Sequence, residues 1–130
     1  MQHMLPRESW ALMQADPEVL MIDIRMEIES MYVGRPPGAH NIPWYEYPDF
    51  TPDPSGFCAS VEAEAGGKTR PILLLCRSGQ RSVDAGHALE AAGFLRVINV
   101  LHGFEGDLNA EFHRSSVNGW RFDQLPWEQM

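Results

Sequence analysis

Cys76 follows directly on the apolar run Ile72-Leu73-Leu74-Leu75 and opens the run Cys76-Arg77-Ser78-Gly79-Gln80-Arg81-Ser82. A helix-like segment begins at once behind it. A cysteine at a strand end, in a short basic loop facing a helix start, is placed to ionise and to hold an anion beside it. An unassisted thiol is only slightly ionised at neutral pH. A helix N-terminus offers N–H groups and a partial positive charge, and Arg77 and Arg81 add two permanent cations. Together these favour a reactive thiolate. Gly79 lets the backbone turn without a Cβ penalty. Ser78, Gln80 and Ser82 supply further donors, so the loop is expected to form a nest around a sulfur anion that substrate can reach.

The other chemistry-bearing residues carry less. Cys58 lies between Phe57 and Ala59 with no basic neighbour, which suits a structural thiol. His40, His87, His102 and His113 are scattered without metal-ligand spacing, there is no CxxC, and no metal is expected. His3 falls in a chain start expected to be mobile. Asp23 and Arg25 flank the end of an apolar run and read as an ion pair or loop anchor supporting the site. Trp120 and Trp127 read as packing residues.

The elements that must position these groups are legible in outline. Pro6-Arg7-Glu8-Ser9 is a helix start, and Asp16-Pro17 ends that helix. Val19 to Ile24, with a charge near its end, and Ile72 to Leu75 are compact apolar runs, and Arg96 to Leu101 reads as a third strand. Continuous runs of this kind suit strands buried on both faces of a parallel sheet. A short helix is expected from Met26 to Tyr32, a short strand over Ala39-His40-Asn41-Ile42, and an irregular aromatic and proline-rich segment from Trp44 to Pro54. Helices are expected over Ser60–Ala65 and Ser82–Ala92, with Gly93 as the stop. Alternating strands and helices predict one α/β domain over residues 1–130. Ligands of such sheets sit beyond the carboxyl ends of strands, where Cys76 is.

The chain has 130 residues, 44% of them hydrophobic, enough for a folded core. A formal charge of −8 argues against a nucleic-acid partner. Screening confines long-range repulsion of anions to roughly 8–10 Å, so local arginines can still hold one. No apolar run approaches the ~20 residues of a membrane span. No leader is evident, and two cysteines are too few for a disulfide scaffold. A reducing cytoplasm is the expected setting.

In order along the chain, several segments resemble a single-domain rhodanese, a sulfurtransferase. Val19 to Arg25 resembles the family's strand ending in Asp-x-Arg. Gly34-Arg35-Pro36-Pro37-Gly38-Ala39-His40-Asn41-Ile42-Pro43 is similar to its Gly-His-Ile-Pro-Gly-Ala-x-Asn-Ile-Pro stretch, with Arg35-Pro36 in place of His-Ile. Cys76 to Ser82 matches its active-site loop. Val97 to Gly103 resembles its late strand and glycine turn, and Trp120 with Leu125-Pro126 its closing signature. The segment Glu105 to Asn118 is longer than the family's, long enough to cover the pocket or an interface. The resemblance implies a central parallel β-sheet flanked by helices on both faces. It also implies a persulfide on Cys76, formed from a small anionic donor such as thiosulfate. Arg77 and Arg81 would orient that donor, and a thiol, cyanide or a sulfur-carrier protein would accept the sulfur. No cofactor is required.

Two other readings compete. Cysteine phosphatases and arsenate reductases of the related fold use a Cys-x5-Arg cradle. Here Arg81 follows Cys76 after four residues, a smaller ring that suits one sulfur better than a whole phosphate. A non-catalytic rhodanese-like binding module usually lacks the cysteine, which this chain keeps.

Overall fold

The computed structural model describes residues 1–130. Five strands form one sheet: β1 (Gln2–Met4), β2 (Leu20–Asp23), β3 (His40–Asn41), β4 (Ile72–Leu75) and β5 (Val97–Val100). Their order is β1-β5-β4-β2-β3, and every pairing is parallel. All residues of β2, β4 and β5 are buried, which explains why their sequences are apolar on both faces apart from Asp23 and Asn99.

Alternation along each strand divides the core. Leu20, Ile22, Ile72, Leu74 and Val97 face one layer, where they pack with α2 (Pro54–Ala65) and α3 (Arg81–Ala91) through Phe57, Val61, Ala85 and Leu89. Met21, Leu73, Leu75, Ile98 and Val100 face the other, against Phe104, Trp120 and residues Trp10, Leu12 and Met13 of α1 (Pro6–Ala15). Chain travel from β1 to β2 uses the α1 face. Travel back from β3 to β4 to β5 uses the α2/α3 face, as crossovers of uniform hand require. The connections leaving β2 and β4 therefore diverge, and a crevice opens between the carboxyl ends of these neighbouring strands.

Local chemistry sets the element ends. Pro6 takes the first position of α1, where its missing N–H costs nothing. The Leu5 N–H donates to Glu8 Oε1 at 2.9 Å. Asp53 Oδ1 accepts from the Gly56 N–H at 3.2 Å and caps α2. That cap, with Pro54 behind it, starts the helix six residues before the expected Ser60. The expected helix over 26–32 is instead a π-helical turn at Glu29–Val33. The chain start is not loose: Gln2–Met4 pairs with Ile98–Val100 as an edge strand. Three residues carry too little pattern to reveal a strand in sequence. No helix is long and apolar enough to cross a membrane.

Candidate active site

Cys76 continues the alternation of β4, so its side chain follows Ile72 and Leu74 into the α2/α3 layer. It is 1% exposed. The reachable sulfur expected from sequence is therefore covered, because the strand direction aims it inward and the loop folds over it. Its surroundings are not purely hydrocarbon. The Gly79 N–H donates to Sγ at 3.0 Å, and Ser82 Oγ lies 3.3 Å away. Gly79 holds φ +93°, and a Cβ there would meet the His102 amide nitrogen at 3.1 Å, so the loop needs glycine. Of the expected nest, the sulfur receives one backbone N–H and faces one hydroxyl.

Behind Ser82 a polar chain runs through buried Asn99 out to exposed His3. The Ser82 hydroxyl donates to Asn99 Oδ1, and Asn99 Nδ2 lies 3.2 Å from His3 Nδ1. Ser82 has a single proton. While Asn99 holds it, Ser82 Oγ can only accept, which suits the protonated thiol. Stabilising the thiolate requires that hydroxyl to turn toward sulfur. Sequence reading missed Asn99 and His3. The available signal was one polar residue inside the run Val97-Ile98-Asn99-Val100, which as a buried amide needs partners.

The two loop arginines differ. Arg81 is part-buried and forms a two-pronged ion pair with Glu29, at 2.8 and 2.9 Å, while its guanidinium lies 5.3 Å from the centre of the Tyr45 ring. Burial alone would raise the Glu29 carboxyl, but the hydrogen bonds and charge of Arg81 outweigh it and hold Glu29 below its ordinary value. Burial likewise opposes the Arg81 charge, and Glu29 more than offsets this. Arg77 is exposed and has no carboxylate within ion-pair reach. Its carbonyl accepts from the Glu105 and Gly106 N–H groups at 2.9 and 3.2 Å, and the Cys76 carbonyl accepts from Phe104 at 2.8 Å. Gly103 permits this clasp, since a Cβ there would collide with the Cys76 carbonyl. Ser78 is half-buried, and Gln80 is the exposed cap residue of α3 without a side-chain cap bond.

Asp23 and Arg25 lie on the opposite face of the sheet, 0% exposed. Arg25 Nε and Nη2 donate to the two Asp23 oxygens at 2.8 and 2.7 Å, and Nη2 also donates to the Gly34 carbonyl at 2.6 Å. The guanidinium rests 4.6 Å from the centre of the Phe104 ring. This pair anchors the loop after β2 and makes no hydrogen bond or ion pair with the Cys76 loop side chains. Both cysteines are free. Burial raises the Cys58 thiol, with Lys68 opposing more weakly.

An open cleft of about 340 Å³ lies over the loop, lined by Met26, Glu29, Val33, Tyr45, Arg77, Arg81, Glu105 and Arg114. Glu29, Tyr45 and Arg114 come from segments that sequence spacing could not bring to the loop arginines Arg77 and Arg81. A neighbouring groove of about 530 Å³ over Ile28, Tyr47 and Phe50 is mainly apolar and holds no nucleophile.

A loop that turns back over a cysteine at a strand end, beside a central parallel sheet, defines a class that comparison with known proteins identifies. The family described as the rhodanese-like domain matches residues 5–110, and the chain belongs to that family. The crystal structure of Rv0390 from M. tuberculosis is similar over 100% of this chain and 98% of its own, at 33% identity and a TM-score of 0.86. The thiosulfate sulfurtransferase GlpE of Glaesserella parasuis is 28% identical over 106 residues, 82% of this chain and 85% of that protein. Uncharacterised Rickettsia proteins such as RP600 of Rickettsia prowazekii are 35% identical over 57 residues, and the chain spans 41% of their length. The polysulfide-sulfur transferase homodimer of Wolinella succinogenes shares the fold at 19% identity and a TM-score of 0.65, over 100% of this chain and 80% of that one.

Proposed function

We propose that the protein is a sulfurtransferase that carries sulfane sulfur as a persulfide on Cys76. The observation that supports this most is the Gly79 N–H, 3.0 Å from Sγ and directed at it by a positive-φ glycine. In the first half-reaction the Cys76 thiolate attacks the outer sulfur of thiosulfate or a related donor. The new S–S bond forms as the old one breaks, and sulfite leaves with the bonding pair. Three negative charges enter the step and three leave it: one on the persulfide and two on sulfite. The Gly79 N–H and the Ser82 hydroxyl, once turned toward sulfur, stabilise charge there. In the second half-reaction cyanide, a small thiol or a sulfur-carrier protein takes the outer sulfur and returns the thiolate.

With Cys76 covered, the loop must shift for donor to reach Sγ. Closure afterwards would keep water from the persulfide. The ring from Cys76 to Arg81, with four residues between them, is smaller than a Cys-x5-Arg phosphate cradle, which favours sulfur transfer over phosphate hydrolysis. Purified protein should form thiocyanate from thiosulfate and cyanide, and Cys76→Ser should abolish it. Turnover retained in that variant would exclude Cys76 as the nucleophile.

A further inference from the structure

We infer that Arg114, carried by the long segment after β5, joins Arg77 to form a binding site for the oxyanion end of a divalent sulfur donor. This inference rests on the sulfur-transfer reading and names the donor class for the same site. Arg114 lies beyond residues 5–110, the part of the chain that matches the family. It nevertheless lines the cleft over the Cys76 loop together with Arg77 and Arg81.

Charge matching singles out two of the three arginines. Glu29 is taken by Arg81. Glu105 faces Arg121 at 3.6 Å. No carboxylate lies within 4.0 Å of Arg77 or Arg114. Two guanidiniums thus remain unmatched in one cleft of a chain whose formal charge is −8. Their summed charge matches a sulfonate-bearing dianion such as thiosulfate, and guanidinium forks suit such planar faces of oxygens.

Arg114 is also held in place. Its Nη1 donates to the Gly106 carbonyl at 2.7 Å. Gly106 in turn donates its N–H to the Arg77 carbonyl at 3.2 Å. The Ser115 N–H donates to the Glu105 carbonyl at 2.6 Å, and Arg121 Nη2 donates to Ser115 Oγ at 2.9 Å. Asn109 Oδ1 accepts from the Glu111 and His113 N–H groups, each at 2.9 Å. The segment is therefore tied to the backbone of the catalytic loop, and Arg114 meets the donor with little ordering left to do.

Two donors test this. Thiosulfate is a dianion and methanethiosulfonate a monoanion, and both yield one sulfur to a thiolate, with sulfite or methanesulfinate leaving. Arg114→Gln should raise KM for thiosulfate about tenfold, the loss of one charged hydrogen bond, with kcat held within about twofold. The KM for methanethiosulfonate should change by less than about threefold, and Arg114→Lys should recover most of the loss. Calorimetric titration of sulfite into Cys76→Ala should show the same weakening on adding Arg114→Gln, without turnover. Equal losses for both donors, or unchanged sulfite affinity, would overturn the inference. Sulfite binding that depends on Arg114 in a protein whose Cys76 never gains sulfur would uphold the anion site and defeat the sulfur-transfer reading instead.

Discussion

Two pairs of arginines lie near the carboxyl end of the sheet, and their partners differ. Arg25 and Arg81 are each gripped by a carboxylate, Asp23 in full burial and Glu29 in part. Arg77 and Arg114 stand over the same cleft with no carboxylate in reach. A matched, buried guanidinium fixes backbone: Arg25 ties Gly34 to the end of β2, and Arg81 ties the start of α3 to the π-helical turn. An unmatched one at a cleft keeps its charge for a ligand. Residue type alone does not separate the pairs; the partner does.

The sharpest way to break this contrast is at the buried pair. Asp23→Asn strands the fully buried Arg25 charge and should cost about 3–5 kcal/mol of stability, a large share of the roughly 5–15 kcal/mol typical of a domain. Urea denaturation measures it, and a loss under about 1 kcal/mol would mean the pair is not the anchor described. Next in size, Arg77→Ala should leave the urea midpoint almost unchanged while lowering kcat/KM for thiosulfate by about 1.5–3 kcal/mol, roughly ten- to hundredfold. Unchanged kinetics would remove Arg77 from the donor site. Arg81→Ala should instead lower stability and kcat together, because its loss frees both Glu29 and the loop.

The smallest effect concerns Glu29. Its carboxyl is held below the ordinary value in the folded protein, so the unfolded chain binds its proton first as pH falls. The pair's contribution is complete above the usual glutamate range and is lost as pH drops through the lowered value. Glu29→Gln should cost about 1 kcal/mol at neutral pH, and its stability should converge on that of the native protein in acid. A gap that stays constant from pH 7 to acid would contradict this account of the ion pair.

The central strands β2, β4 and β5 were legible because each sits between two apolar layers and its sequence records that as a largely apolar run. The loop from Cys76 to Ser82 was legible because its chemistry is contiguous in the chain. The partners of that loop were not. Glu29 reaches Arg81 across 52 residues of sequence, and His3 reaches Asn99 only because a three-residue edge strand sets their register. The burial of Cys76 escaped for a related reason. Basic and polar neighbours suggest an exposed thiol, whereas alternation along β4 turns that one side chain inward. The long segment after β5 was visible as an addition, but not the backbone clasp that brings Arg114 to the cleft.

The central claim is that a covered sulfur, held by Gly79 and facing Ser82, opens to accept a second sulfur. Intact mass spectrometry after brief exposure to thiosulfate, and again after cyanide, tests it most directly. A gain of one sulfur atom that cyanide removes, and that Cys76→Ser never shows, is the predicted result. An unchanged mass in fully folded protein with both thiols reduced would contradict it.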